Sequence, residues 1–193
     1  MNEMIKMVLV LTILSSVSGG LLASIRNGTQ DRIENQVLEF VKGPAVRGIL
    51  EGASNDPIAD RFKIDDHSFF VAVYDGKPRA VAFETSGKGY GGEVGLMVGI
   101  DVSDDKLLGV GVTTHAETPG MGARAKTEPG FTAQFKGLPA IESFKVNQDG
   151  GAINALSGAT ITSRAVCSAA TDAGQIYKQL KPQIEEKLKS LKN

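Results

Sequence analysis

Phe69-Phe70-Val71-Ala72-Val73-Tyr74, then Asp75-Gly76-Lys77-Pro78, then Arg79-Ala80-Val81-Ala82-Phe83-Glu84-Thr85 is the stretch on which the fold turns. Both apolar runs are short and rich in β-branched and aromatic residues, and turn formers bound them, so they read as strands. The four residues Asp75-Gly76-Lys77-Pro78 between them are a short hairpin signal. Downstream the pattern repeats, with Val94 to Val102 and Leu107 to Thr114 on either side of Ser103-Asp104-Asp105-Lys106. The middle of the chain is thus predicted to be a meander of about four strands.

Toward the C-terminus the period changes. Val166, Ala170, Ala173, Ile176, Tyr177, Leu180, Ile184, Leu188 and Leu191 recur three and four residues apart, which predicts an amphipathic helix. Lysines gather in its final turns, as the helix dipole favours, and Pro182 is a place for a kink or break. Toward the N-terminus, Asp31 to Lys42 reads as a short helix ended by Gly43-Pro44, with Ile33, Val37, Leu38 and Val41 on one face. The segment from Ala45 to Asp66 has no clear period and reads as irregular, with polar turns at Ser54-Asn55-Asp56-Pro57 and a solvated His67 just beyond.

The chain opens on an uncharged run from Met7 to Ile25, bounded by Lys6 and Arg26. At about 1.5 Å per residue such a helix nearly crosses a hydrocarbon core. A cleaved signal peptide is the rival, with Ser16 to Gly20 as its cleavage zone. Leu21, Leu22 and Ala23 resume the apolar run, which favours a retained anchor. We therefore expect an anchor over residues 1–28 and one folded domain over 29–193, of α+β class: one N-terminal transmembrane helix followed by an antiparallel sheet flanked by helices. Lys6 and the terminal amine favour a cytoplasmic N-terminus and an outer-face domain, although Arg26 pulls the other way.

Composition narrows the chemistry. Lys and Arg total 21 against 22 Asp and Glu, interspersed, so no basic stripe offers the phosphate contacts that nucleic acid needs. The single cysteine, Cys167, leaves no intrachain disulfide and no multi-cysteine metal or iron–sulfur site. It reads as a small buried residue on the last helix.

Before that helix stands Asn154-Ala155-Leu156-Ser157-Gly158-Ala159-Thr160-Ile161-Thr162-Ser163-Arg164. Hydroxyls at 157, 160, 162 and 163, a flexible glycine and the open amides of a helix start make a phosphate cradle. The plainer reading is an N-cap made by Thr162 or Ser163, and the two are compatible. Two loops are further candidates. Thr114-His115-Ala116-Glu117-Thr118-Pro119-Gly120-Met121-Gly122 follows a predicted strand, and Gly87-Lys88-Gly89-Tyr90-Gly91-Gly92 is too glycine-rich for one. Either lines a pocket or is an ordinary turn. The second is neither a Walker loop nor a dinucleotide fingerprint, because the glycine spacing is wrong and no crossover helix follows. His115 beside Glu117 lacks a third metal ligand, and Ser157 lacks the flanking glycines of a nucleophile elbow.

The run Ser157-Gly158-Ala159-Thr160, continued by Ile161-Thr162-Ser163-Arg164-Ala165-Val166, strongly resembles the flavinylation motif of the FMN-binding domain family. With the N-terminal anchor, Gly89-Tyr90-Gly91-Gly92, Leu96-Met97-Val98-Gly99-Ile100-Asp101 and His115-Ala116-Glu117-Thr118-Pro119-Gly120-Met121-Gly122, the wider pattern resembles the G subunit of the Rnf electron-transport complexes over roughly residues 1–180. The resemblance implies an FMN esterified through its phosphate to Thr160 by a separate flavin transferase, with FAD as donor and a divalent metal, on the outer face of the membrane. In the family an aspartate usually stands six positions before the threonine, where this chain has Asn154. Ser157, Gly158, Ala159 and Thr162 accompany the acceptor. Tyr90, Gly91 and Gly92 and the loop His115, Glu117, Thr118, Pro119, Gly120 and Met121 are the candidates for the isoalloxazine ring, Tyr90 by stacking and Met121 by packing.

The resemblance further implies an electron carrier without substrate catalysis of its own, held in membrane lipid beside the other Rnf subunits. The whole complex couples electron flow between ferredoxin and NAD to sodium or proton movement. Alternatives are the corresponding subunit of a sodium-pumping quinone reductase, a free-standing extracytoplasmic flavoprotein, or a non-redox assembly subunit with an empty Thr160.

Overall fold

The computed structural model describes residues 2–191; the last two residues of the expected domain, 192–193, lie outside the described residues, as does residue 1. The chain forms two compact units, Met1–Leu38 and Glu39–Asn193.

The first unit is helical. Helix α1 spans Asn2–Gln36, and its apolar side chains are exposed along its length, with Met7 at 63% and Leu22 at 69%. Its stretch Asn2–Gln30 is long and apolar enough to cross a membrane. No break separates this helix from the segment expected to form a second one. After α1 come a π-helical turn, Val37–Lys42, and helix α2, Gly43–Ile49. Gly43-Pro44, expected to end a helix, instead opens α2. Proline needs no amide partner in a helix's first turn, so it starts a helix as readily as it stops one.

The second unit is built on a five-stranded antiparallel sheet in simple sequence order. Its strands are β1 (Arg61–Ile64), β2 (His67–Tyr74), β3 (Lys77–Lys88), β4 (Glu93–Asp101) and β5 (Lys106–Val112). Each of the first two hairpins turns on a pair of residues. Asp65 takes φ 50° in one, and Asp75 and Gly76 take 52° and 71° in the other, the twist that a two-residue loop needs.

Three expectations are corrected here. The segment expected to be irregular contains β1, a four-residue edge strand, and His67 is the first residue of β2, edge-on to Phe83 at 6.2 Å, rather than a solvated turn residue. Pro78, expected in the turn, lies inside β3 opposite Val73, beside a register shift where a missing amide is tolerated.

Helix α5, Thr160–Ser190, runs unbroken through Pro182 and covers one face of the sheet. Phe69, Phe83, Leu96, Val98 and Ile100 meet Val166, Ala170, Ala173, Tyr177 and Ile184 in one core. Helix α2 covers part of the other face, with Ile49 close over Gly99 on β4, where a Cβ would collide with its Cγ2. This double cover explains why both alternating sets of β4 are buried, Val94, Leu96 and Val98 on one side and Met97 and Asp101 on the other. Short helices α3 (Arg124–Thr127) and α4 (Pro129–Thr132) lead toward α5.

Candidate functional site

The first turn of α5 decides the site. Leu156 to Ala159 forms a turn closed by the Ala159 amide on the Leu156 carbonyl at 2.9 Å, with Gly158 at φ 77° in the position that demands it. The helix then begins at Thr160 with no side-chain cap. This corrects the expectation that Thr162 or Ser163 serves as N-cap. Both hydroxyls lie inside the first turn and are engaged elsewhere: Thr162 Oγ1 donates to Glu117 Oε2, while Ser163 Oγ donates to the Ala159 carbonyl and accepts the Leu156 amide, each at 3.0 Å. Without a cap, the positive end of a long helix stays available to an anion, with the half-buried Thr160 hydroxyl beside it.

The irregular segment leading into this turn is braced from outside. Arg124 Nη1 donates to the Ser157 carbonyl at 3.3 Å, and its guanidinium also pairs with Glu128 at 2.7 Å. Asn154 is held on both sides, donating its backbone and side-chain amides to Gln134 Oε1 and accepting from Asn147 Nδ2 at 3.0 Å. The sequence pattern does not disclose these partners, because side-chain braces 7 to 33 residues away leave no periodic trace.

Across from the helix start stand the two glycine-rich loops, and together they enclose a cleft of about 490 Å³. Its lining unites eight of the residues singled out from sequence: Tyr90, Glu117, Thr118, Met121, Gly158, Ala159, Thr160 and Thr162. Gly122 and Ile161 complete it. Ile161 is an apolar residue 46% exposed on a helix whose stripe faces elsewhere, and that misfit with the period was the signal available for it. Pro119 and Gly120 form the turn below Met121, with Gly120 at φ 73° and the Met121 amide on the Thr118 carbonyl at 3.2 Å.

The remaining candidates lie off the lining. Gly91 donates its amide to Glu117 Oε1 at 2.8 Å, and the carbonyl of Gly92 closes its loop on the Gly89 amide, also at 2.8 Å. Ser157 points to solvent beside the cleft. His115 is half-buried, and its Nδ1 has no hydrogen-bond partner among the described residues. A larger hollow of about 740 Å³ lies between α2, β5 and α4, lined by Ile49, Val110 and Lys136 among others, but it contains none of these residues.

The smaller cleft fits a flavin nucleotide. A volume of this size suits a ligand with one flat apolar part and one polar tail. Tyr90 (75% exposed) and Met121 (49% exposed) offer aromatic and thioether surface at the mouth, while the open helix start and the Thr160 hydroxyl suit a phosphate.

Comparison with known proteins agrees with this geometry. Residues 89–175 match the FMN-binding domain family. The chain is 33% identical over 169 residues to the G subunit of an ion-translocating oxidoreductase complex of Cereibacter sphaeroides, covering 82% of this chain and 77% of that one. It is 32% identical to the protein of the same name in Vibrio cholerae, over 91% of both chains. The Methanosarcina acetivorans relative is also 32% identical, over 87% of this chain and 91% of its own. Among solved structures, the C subunit of Na(+)-translocating NADH-quinone reductase from Parabacteroides distasonis superposes with a TM-score of 0.52 at 26% identity, over 60% of this chain and 62% of that one. NqrC of Shewanella oneidensis shares the fold with a TM-score of 0.53 at 22% identity, over 69% and 72% of the two chains.

Proposed function

Given that this chain belongs to the family of G subunits of ion-translocating oxidoreductase complexes, we propose that it is the electron-carrier subunit of an Rnf complex, with FMN bonded through its phosphate to Thr160. The observation that carries the reading is the convergence of the Thr160 hydroxyl, an uncapped helix start and the Tyr90–Met121 mouth in one cleft. The flavin, when bound, supplies reversible electron transfer between neighbouring subunits.

The chain's own residues supply binding and placement. The α5 start favours the remaining negative charge of a phosphodiester by a modest ~0.3–1 kcal/mol. The larger effect is tethering, since a cofactor bonded to Thr160 does not dissociate and its local concentration stays high. Tyr90, Met121 and Ile161 present apolar surface to the ring, while Gly158 and Gly122 let backbone approach closely. His115 stands outside the lining, so among the sequence candidates Tyr90, Thr118 and Met121 are the better ring contacts.

In this reading α1 stays in the membrane, the second unit faces the outer side, and a flavin transferase matures the protein there. The other Rnf subunits donate and accept its electrons, and the complex as a whole moves sodium or protons during ferredoxin–NAD electron exchange. The likeness to the Parabacteroides distasonis protein keeps a sodium-pumping quinone reductase as the second reading, but the longer matches to the G subunits favour the first.

The test is the intact mass of the protein purified from its native membrane under denaturing conditions, followed by peptide mapping across residues 150–170. An FMN adduct on Thr160 is expected, and Thr160→Ala should abolish both the adduct and electron transfer through the assembled complex. An unmodified native chain, or full transfer in Thr160→Ala, would sink the covalent-carrier reading.

A further inference from the structure

We propose that Glu117 is the positioning residue of the cleft: its buried carboxylate ties the Gly89–Gly92 loop and the first turn of α5 to the 115–122 loop, and so holds the Thr160 hydroxyl where a flavin donor reaches it. The inference rests on the reading of Thr160 as acceptor given above.

Glu117 is 5% exposed, and its two oxygens serve two different segments. Oε1 accepts the Gly91 amide at 2.8 Å, and Oε2 accepts the Thr162 hydroxyl, two residues beyond the acceptor. Among the described residues it forms no ion pair with any Lys, Arg or His. Its burial is offset by hydrogen-bond donors alone, so the desolvation of the carboxylate is compensated only while those donors stay in place.

Packing fixes the carboxylate as tightly as its bonds do. A Cβ on Gly89 would stand 2.5 Å from Oε1, and one on Gly122 would stand 2.6 Å from Oε2 and 2.7 Å from Thr162 Oγ1. On Gly91 it would strike the Ala116 carbonyl. Glycines from both loops thus close on one side chain, leaving it little room for another rotamer. All three walls of the cleft meet at Glu117, and removing it leaves the Gly91 amide and the Thr162 hydroxyl without their acceptor.

The step that depends on this placement is a phosphoryl transfer without redox change. The Thr160 Oγ–P bond forms to the FMN phosphorus of flavin adenine dinucleotide and the phosphoanhydride bond breaks. Adenosine monophosphate leaves with the electron pair, and the hydroxyl proton passes to water or to a base of the transferase. Glu117 touches none of these atoms; it acts through Thr162 and the helix start.

The full chain, made in a host without flavin transferase and purified in detergent, is incubated with transferase, flavin adenine dinucleotide and magnesium, and the adduct is followed by intact mass. Because small misplacements of reacting groups cost rate steeply, Glu117→Ala and Thr162→Val are expected to slow modification by about tenfold or more. Glu117→Gln is expected to recover most of the rate, since its carbonyl still accepts from Gly91 and its amide donates to the Thr162 oxygen.

Hydrogen–deuterium exchange on the flavin-free chain supplies the second readout. Gly91 and residues 158–164 should exchange faster in Glu117→Ala, with the second half of α5 unchanged. Wild-type rates in both Glu117→Ala and Thr162→Val overturn the proposal, as does a Glu117→Gln variant as slow as Glu117→Ala. A wild-type chain that takes no flavin, yet shows the exchange pattern, overturns the Thr160 reading and leaves Glu117 as a brace only.

Discussion

Cys167 lies 2% exposed under the sheet, where burial first and the charge of Asp149 second push its thiol up to about 11. At pH 8 its thiolate fraction is then roughly 100-fold below that of an ordinary cysteine. Maleimide labelling of the native chain is expected to be correspondingly slow, and to become fast once guanidinium unfolds it. Asp105 gives the opposite kind of shift. Burial pulls it upward, but hydrogen bonds from Lys181 and Tyr177 outweigh that, and its carboxyl ends below the usual value. A folded-state pKa below the unfolded one contributes stability that is complete above the unfolded value and is lost as pH falls through the folded one. The melting temperature should therefore fall below about pH 4, and Asp105→Asn should flatten that fall. Asn tolerates the φ of 57° at this turn, so the substitution isolates the charge. The effect should be small, because the pair is partly in water. At this scale eight of the ten residues that line the cleft are ones singled out from sequence, because the Ser-Gly-Ala-Thr run and the two loops are local. The sequence did not disclose what Glu117 and Asn154 bond to, because those partners are set by folding rather than by spacing.

The elements meet through backbone contacts that exclude side chains. Gly87 on β3 presses against the Ala165 carbonyl of α5, and Gly174 within α5 presses against the Ala140 carbonyl. Replacing Gly174 by Ala in an isolated helix would add about 1 kcal/mol of stability. Here the new methyl would meet backbone that cannot rotate away, so the sign should reverse, with a loss of about 1–3 kcal/mol in chemical denaturation. Gly174→Ala stabilising the protein would show that α5 seats less closely than described. Four strands and the last helix were legible because their periods are long and regular. Strand β1 was not, because Arg61-Phe62-Lys63-Ile64 is too short to establish alternation and pairs only at the sheet's edge. The continuity of α1 was also hidden: Asn27, Gly28 and Thr29 are poor helix formers, yet the helix runs through them.

For the whole molecule, the first unit carries a helix long and apolar enough to cross a membrane, and its apolar side chains are exposed among the described residues. The full chain is expected to stay with membranes through an alkaline carbonate wash. A chain beginning at Glu39 should be released, and a native mass lacking the first twenty or so residues would instead identify a cleaved signal peptide. The second unit folds from neighbours in sequence order until its last element. Each strand of the sheet pairs with the one before it, but the helix that covers them all, and that supplies the near wall of the cleft, is made last.

That order gives the site a place in time. At roughly 5–20 residues per second, the whole meander is synthesised several seconds before residue 160 appears. A chain interrupted earlier holds its strands but lacks both the Thr160 hydroxyl and the second wall of the cleft. Under the proposed reading, a nucleotide on Thr160 marks chains synthesised at least as far as the start of the last helix.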